Sequence, residues 1–229
     1  MHLPLSDRLR ACCNYVPVGS RIADIGCDHG YLSIYLLKEG IASSAIASDI
    51  NEGPLNSAVN NAEKFGVGER ISFYLSDGVR AIPRDFDCMI CAGMGADTMV
   101  SIIDHAQWLK SPNYTLVLQC QSKTPMLRKY LSDNGYQIRQ ETVLRDGKFL
   151  YTIMQVVYNP DRAQLTAGEC YFPPALLINP TPELSAYYQW VTEGLRIATA
   201  HRSDPMLNKA LDELQILAKK SPFLLEVSV

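Results

Sequence analysis

The sequence predicts an α/β protein: a doubly wound, mostly parallel seven-stranded sheet followed by an antiparallel helical hairpin. Three observations carry this. Short apolar, β-rich runs alternate with helical stretches as far as residue 134, the arrangement of parallel strands joined by crossover helices. Two further strand-like runs flank "RDGK" (145–148), a turn that closes a hairpin and adds antiparallel pairing. After a proline-rich stretch, apolar residues recur at three- and four-residue spacing in two consecutive segments, as paired amphipathic helices require.

An N-terminal helix bearing Arg8 and Arg10 precedes the first strand, "RIADI" (21–25). The next strands are expected at "SAIASDI" (44–50), "ISFYL" (71–75), "FDCMICA" (86–92) and "YTLVLQC" (114–120), and the hairpin strands at 136–144 and 149–158. Helices fall near 31–39, 53–65, 95–108 and 124–134; the second opens with Gly53-Pro54, where proline suits a first turn, and stops at Gly66. Residues 1–158 thus form one domain, and the proline-rich 159–183 reads as a linker crossing the surface. Residues 184–229 hold the hairpin. Leu184, Tyr188, Val191, Leu195 and Ala198 line one helix, and Leu207, Leu211, Leu214 and Ala218 the other. "HRSDP" (201–205) is the turn, with Ser203 or Asp204 as N-cap. At 1.5 Å per residue such a hairpin is roughly 30 Å long; a helical pair packed flat on the main domain fits the same spacing. The tail "SPFLLEVSV" has no assignment.

Of 229 residues 47% are hydrophobic and 20% charged, which suits a globular protein and argues against disorder. No apolar run approaches the roughly 18–20 residues that span a bilayer, and "MHLPLSDRLRACC" lacks the order of a signal peptide, so a cytoplasmic location is expected. Seven cysteines at irregular spacing make no disulfide framework. Cys88 and Cys91 form a CxxC inside a strand, where an offset of three sends side chains to opposite faces; they read as buried thiols, and no metal site is expected. A net charge of −3 gives no general attraction to nucleic acid, so an RNA partner would need a local basic patch.

The functional signal begins at "RIADIGCDHGYL" (21–32). Asp24 ends the first strand, Gly26 permits a turn that a side chain would obstruct, and Gly30 opens the next helix with room for close approach. A dinucleotide loop reads G-x-G-x-x-G, so that pyrophosphate lies on bare backbone at a helix N-terminus. Here Asp28 stands where the close-approach glycine would be. A carboxylate there repels pyrophosphate and favours a cationic ligand; S-adenosylmethionine, with an ammonium, a sulfonium and no phosphate, fits. Cys27 and Tyr31 share this loop.

Three more strand ends point to the same face. Asp49, followed by Ile50 and Asn51, lies 19 residues after Gly30, about where a carboxylate takes both ribose hydroxyls in such folds. "LSDGV" (75–79) sets Ser76, Asp77 and Gly78 beyond the third strand, with Asp77 able to accept from an adenine amino group. "CAGMGADT" (91–98) ends the fourth strand in Ala92, Gly93, Met94 and Gly95, where a flat substrate could pass close to the main chain. Singly, each is an ordinary turn.

The stretches "DIGCDHGYL", "SDINEGPL", "LSDGV" and "AGMG" together resemble the bacterial tRNA methyltransferases that modify N1 of adenine 22. The likeness covers most of residues 5–158, with Asp28-His29 its most specific feature; residues 184–219 match by architecture more than by motif. One departure is Ala96, where the family more often carries another glycine. The resemblance implies a class I, Rossmann-like methyltransferase domain, S-adenosyl-L-methionine as donor and tRNA as substrate. Because adenine N1 has its own lone pair, no base is needed before attack, but the product is cationic and a nearby acceptor would stabilise it. Asp28, His29 and the Gly93-Met94-Gly95 backbone are the candidates for the chemistry, with Tyr31 placed to stack on base or cofactor. His29 could equally serve only to orient the loop through a main-chain carbonyl.

RNA contact is less marked. Residues 160–229 hold six Lys/Arg against eight Asp/Glu. Local candidates are Lys123, Arg128 and Lys129, Arg8 and Arg10, and Arg139, Arg145 and Lys148. Two other readings fit the acidic balance: a methyltransferase for a protein or small molecule, and an RNA-binding scaffold that holds the cofactor without turnover. A nicotinamide oxidoreductase fits Asp28 worst. Oligomeric state is left open.

Overall fold

The structure, a computed structural model, describes residues 3–201 and 203–225. Helix α1 (Asp7–Cys13) leads into β1 (Ser20–Ile25), α2 (Tyr31–Lys38), β2 (Ala42–Asp49), α3 (Glu52–Lys64), β3 (Ile71–Leu75), β4 (Cys88–Met94), α4 (Ala96–Asp104), β5 (Thr115–Cys120), α5 (Thr124–Asp133), β6 (Tyr136–Asp146) and β7 (Phe149–Tyr158). One seven-stranded sheet has the order β3-β2-β1-β4-β5-β7-β6. β1 to β5 run parallel; β7 inserts between β5 and β6, antiparallel to both. Strand order reverses between β1 and β4, so a crevice opens at their carboxyl ends.

The strands read as apolar runs because both faces of the sheet are covered. In β1, five of six residues are buried. Ile22, Cys88 and Ile90 face a layer under α1, α2 and α3, while their neighbours Ala23, Met89 and Cys91 face a layer under α4 and α5. Cys88 and Cys91 therefore lie on opposite sides, and all seven cysteines are buried free thiols.

Boundaries shift where backbone chemistry overrides pattern. β4 starts later than expected but runs on to Met94, because Gly93, at φ +82°, is bulged out of the pairing with β5 and lets the ladder resume. α4 stops at Asp104, and residues after Ala106 form a 3₁₀ turn, Gln107–Leu109.

Residues 159–183 are more than a surface linker. They hold α6 (Ala167–Tyr171), started by a reciprocal Thr166–Glu169 capping box, and a 3₁₀ turn at Pro174–Leu177. Cys170, Phe172, Ala175 and Leu176 are buried. Pro173 follows the end of α6 and Pro174 opens the 3₁₀ turn, and Phe172 packs edge-on against Tyr188 at 5.5 Å.

α7 (Leu184–His201) and α8 (Pro205–Lys220) follow. Both readings of this pair hold in part. From Leu184 to Leu195, α7 is buried against Val143, Phe172 and Leu176; beyond it, Arg196 and Ile197 are exposed. The α8 seam is Ala210, Leu214 and Ala218, with Leu211 only half-buried. Ala210 replaces it because α6 crosses closely: a Cβ on Gly168 would stand 2.7 Å from that of Glu213 and 3.3 Å from the Ala210 carbonyl. Asp204, not Ser203, caps α8, accepting from the amides of Met206 and Leu207. Arg202 of the expected turn, Met1 and His2 of the first domain, and residues 226–229 of the tail lie outside the described residues; the rest of the tail forms a 3₁₀ turn, Pro222–Leu225, that buries Leu224.

Arg128, expected as a surface cation, is fully buried. It pairs with Glu141 of β6 at 2.6 Å, and donates to the Cys170 and Tyr171 carbonyls (3.2 and 2.7 Å) and to the Tyr187 hydroxyl (3.1 Å). Burial would lower its pKa, but the Glu141 carboxylate outweighs burial and raises it. One guanidinium thus ties α5 to β6, α6 and α7.

Candidate active site

The carboxyl ends of β1 to β4 enclose a cavity of about 510 Å³. Its first wall is the β1–α2 loop. Asp24 is buried there, and Ser33 Oγ donates to its Oδ2 at 2.8 Å. Burial pushes the Asp24 carboxyl up to about 6, with the Ser33 bond opposing. The Gly26 and Cys27 amides donate to the Ser48 carbonyl (2.8 and 2.9 Å), fastening the loop to β2. Gly26 has φ +71°, and a Cβ there would collide with the Met94 methyl. Burial raises the Cys27 thiol, so it stays protonated and unreactive.

Asp28 holds a left-handed conformation, φ +51°, which costs energy in a residue with a side chain. The conformation aims its amide at Asp49 Oδ2, 3.1 Å away. Asp49 Oδ1 accepts from the Asn51 amide at 2.9 Å. The Asp49 carboxylate is thus fixed by two backbone donors while still lining the cavity. Asp28 and His29 side chains are 70% and 51% exposed, with Nε2 3.7 Å from Oδ1. The His29 carbonyl is held by Asn61 Nδ2 at 3.0 Å, so Asn61, rather than the imidazole, ties this part of the loop by a main-chain bond. The His29 and Tyr31 rings lie 5.9 Å apart.

At the β3 end, Ser76 Oγ donates to the Gly78 carbonyl and accepts from the Ala81 amide, closing the turn that presents Asp77. Gly78 is needed because a Cβ would press on Ile102 at 2.9 Å. Ile50 flanks the opening, largely exposed. At the β4 end the Gly93 amide donates to Gln119 Oε1 at 3.0 Å.

Nearly all the expected residues meet around this one cavity: Asp24 to His29 and Tyr31, Asp49 to Asn51, Ser76 to Gly78, and Ala92 to Met94. Gly30 and Gly95 lie behind the wall. A Cβ on Gly30 would stand 2.9 Å from that of Ala58, so its bareness admits α3 rather than a ligand. On Gly95 it would meet Ser122 Oγ at 2.9 Å.

Arg8, Thr98, Ile102 and Gln121 also line the cavity, and Gln119 supports it from below. Arg8, expected as an RNA contact, instead bonds Gln119 Oε1, pairs with Asp146 at 3.5 Å and lies 5.4 Å from the Tyr151 ring centroid. Its partners are more than 100 residues distant in sequence, so no local pattern announces it. Gln119 left a signal: it is the polar interruption in the buried run Leu116 to Cys120. Among the described residues, no group of three or more His, Cys, Asp or Glu is placed to hold a metal ion, and no helix is long and apolar enough to cross a membrane.

A Rossmann-like sheet whose switch-point crevice is walled by carboxylates, with no bare phosphate cradle, defines a methyltransferase domain. The family model described as "Methyltransferase domain" matches residues 5–154. The tRNA (adenine(22)-N(1))-methyltransferase of Bacillus subtilis is 33% identical over 153 residues, 66% of this chain and 64% of that protein; the chain spans just under two thirds of that relative in the alignment. A Streptococcus pneumoniae structure, a candidate tRNA (m1A22) methyltransferase in complex with S-adenosyl-L-methionine, is 30% identical with a TM-score of 0.80, covering 92% of this chain and 98% of that one. The crystal structure of the B. subtilis m1A22 tRNA methyltransferase is 25% identical with a TM-score of 0.78, covering 98% and 100%. The chain belongs to the methyltransferase-domain family.

Proposed function

We propose that this protein transfers a methyl group from S-adenosyl-L-methionine to N1 of adenine 22 in tRNA, and so works in the cytoplasm. The observation that carries the donor is the ring of Asp24, Asp28, Asp49 and Asp77 around one cavity, whose single lining cation, Arg8, is already engaged. Four carboxylates suit an ammonium, a sulfonium and ribose hydroxyls; they disfavour a pyrophosphate. When bound, S-adenosylmethionine supplies an electrophilic methyl on sulfur.

The chain's residues divide the work. Asp49, immobilised by two amides, accepts from the ribose hydroxyls, and Asp77 from the adenine amino group, with Ile50 covering that ring. Asp24 and the 26–28 backbone receive the amino-acid end. The Gly93 backbone and Met94 bound the side where the target base enters, and holding donor and acceptor in line lowers the barrier by roughly 7–11 kcal/mol. N1 attacks through its own lone pair, the bonding pair to sulfur leaves with sulfur, and the base becomes cationic. Asp28, with His29 beside it, is the carboxylate we assign to stabilise that charge. Because N1 is on the pairing edge, the base must leave its stack to react.

Tritiated S-adenosylmethionine incubated with unmodified tRNA tests this: label should enter the RNA and map to 1-methyladenosine at position 22. Label in protein or small molecules, or none at all, overturns it.

A further inference from the structure

A second hollow, of about 360 Å³, lies between the β5–α5 turn, the start of β7 and α7. Gln121 lines both this hollow and the cofactor cavity, so the two adjoin at that residue and together make a trough along the sheet end. Its walls are aromatic: Tyr151 from β7, Tyr171 from α6 and Trp190 from α7. Trp190 is 64% exposed, on a helix face whose neighbours Tyr187 and Val191 are buried. Gly194, one turn further on, leaves the floor open, since a Cβ there would meet nothing within 4 Å. Gln121 sits where the hollow adjoins the cofactor cavity, and Ser122 and Lys123 follow it along the hollow's wall. The trough is built into the fold, because the buried Arg128 holds Tyr187, and with it α7, in place.

We propose that this trough receives the unpaired nucleotide adjoining the methylated adenine, its base stacked on Trp190 and its phosphate towards Lys123; the inference rests on the RNA-methyltransferase reading above. Drawing one base from its stack strips its neighbour of a stacking face, and an exposed aromatic ring replaces that face without regard to sequence. Lys123 pairs with Asp97 at 2.8 Å, but both side chains are more than half exposed, and such a pair exchanges readily for a phosphate. The position directly beside the methyl-transfer cavity, across Gln121, selects RNA over a peptide or a second copy of the chain, neither of which has reason to meet that residue.

Trp108→Phe leaves Trp190 as the only tryptophan of the two in the chain. Titrating that variant with unmodified tRNA should quench Trp190 emission. In the otherwise natural protein, Trp190→Ala and Gly194→Phe, the first removing the stacking face and the second filling the open floor, should each lower kcat/KM for tRNA about tenfold while S-adenosylmethionine affinity by calorimetry stays within twofold. Unchanged emission and unchanged kcat/KM, with tRNA still methylated, overturn the trough alone. Emission that follows protein concentration without RNA, together with a dimer in sedimentation that Gly194→Phe dissociates, assigns the face to self-association and also overturns it. Wild-type protein that neither binds nor methylates tRNA brings down the functional reading, and the trough with it.

Discussion

At the pocket end of the sheet the polar contacts of the cavity-lining carboxylates and turns stay within a loop or join adjacent strand ends: Asp49 is held by the amide two residues on and by that of Asp28, Ser76 by the Gly78 carbonyl, and Asp24 by Ser33, nine residues away. The C-terminal half is fastened the other way. Arg128 reaches Cys170, Tyr171 and Tyr187, Thr181 donates to the Val143 carbonyl, and Tyr188 donates to that of Leu214. A loop closed on itself can hold a cofactor pocket regardless of what is appended to the sheet. An appendage held by long-range polar ties stands or falls with those few ties.

The sharpest way to break this contrast is Arg128→Met. Removing the guanidinium leaves Glu141 charged and buried without its partner, which should destabilise the protein by about 3–5 kcal/mol in urea unfolding. Below the midpoint, S-adenosylmethionine affinity should remain within twofold, since no pocket residue touches the pair. Adding Glu141→Leu should restore most of the stability, because an apolar pair of similar size carries no uncompensated charge. Affinity that falls in step with stability would show the two halves to be coupled, and the contrast would fail.

Asp49→Ala is the converse experiment. It deletes the proposed ribose acceptor and frees the amides of Asp28 and Asn51. Hydrogen bonds to a charged group contribute about 1.5–3 kcal/mol each, so donor affinity should fall by roughly two orders of magnitude in calorimetry, while the two freed amides should lower stability in urea unfolding by about 1–3 kcal/mol, less than Arg128→Met does. A loss under threefold would remove Asp49 from the cofactor's contacts.

The same contrast explains what could be read from the chain. The loops at 24–30, 49–51, 76–78 and 92–95 were legible because each is a local turn whose glycines and carboxylates must stand in fixed order. Residues 159–183 were not: the prolines were visible, but the burial of Phe172 and Leu176 depends on β6 and α7 arriving from elsewhere. Arg128 looked like any surface cation, because nothing near it in sequence states that Glu141 is its partner. Arg8 was misplaced for the same reason. Gly30 marks a close approach in the sequence, but that its neighbour is Ala58 of α3 follows only from the packed fold. Alternation of side chains along a strand, by contrast, needs no partner, and the opposite facing of Cys88 and Cys91 followed from it directly.

The mildest prediction concerns Asp24, where fold and function pull in opposite directions with pH. Burial raises its carboxyl from 3.8 to about 6, so the folded chain holds this proton more tightly than the unfolded chain does. Its contribution to stability is therefore fully present below pH 4 and is lost as pH rises through about 6. Donor binding has the reverse slope, because an ammonium is attracted only to the ionised form. From pH 7 downward, S-adenosylmethionine affinity should hold until about 6 and then weaken towards tenfold per pH unit. Asp24→Asn should flatten that slope at uniformly low affinity, and Ser33→Ala, which deletes the bond favouring the carboxylate, should move the midpoint upward. Calorimetric titrations between pH 5 and 8 decide it: a pH-independent affinity in the natural protein would mean that Asp24 supports the loop without facing the ligand's charge, leaving Asp28 to carry the electrostatics of the pocket.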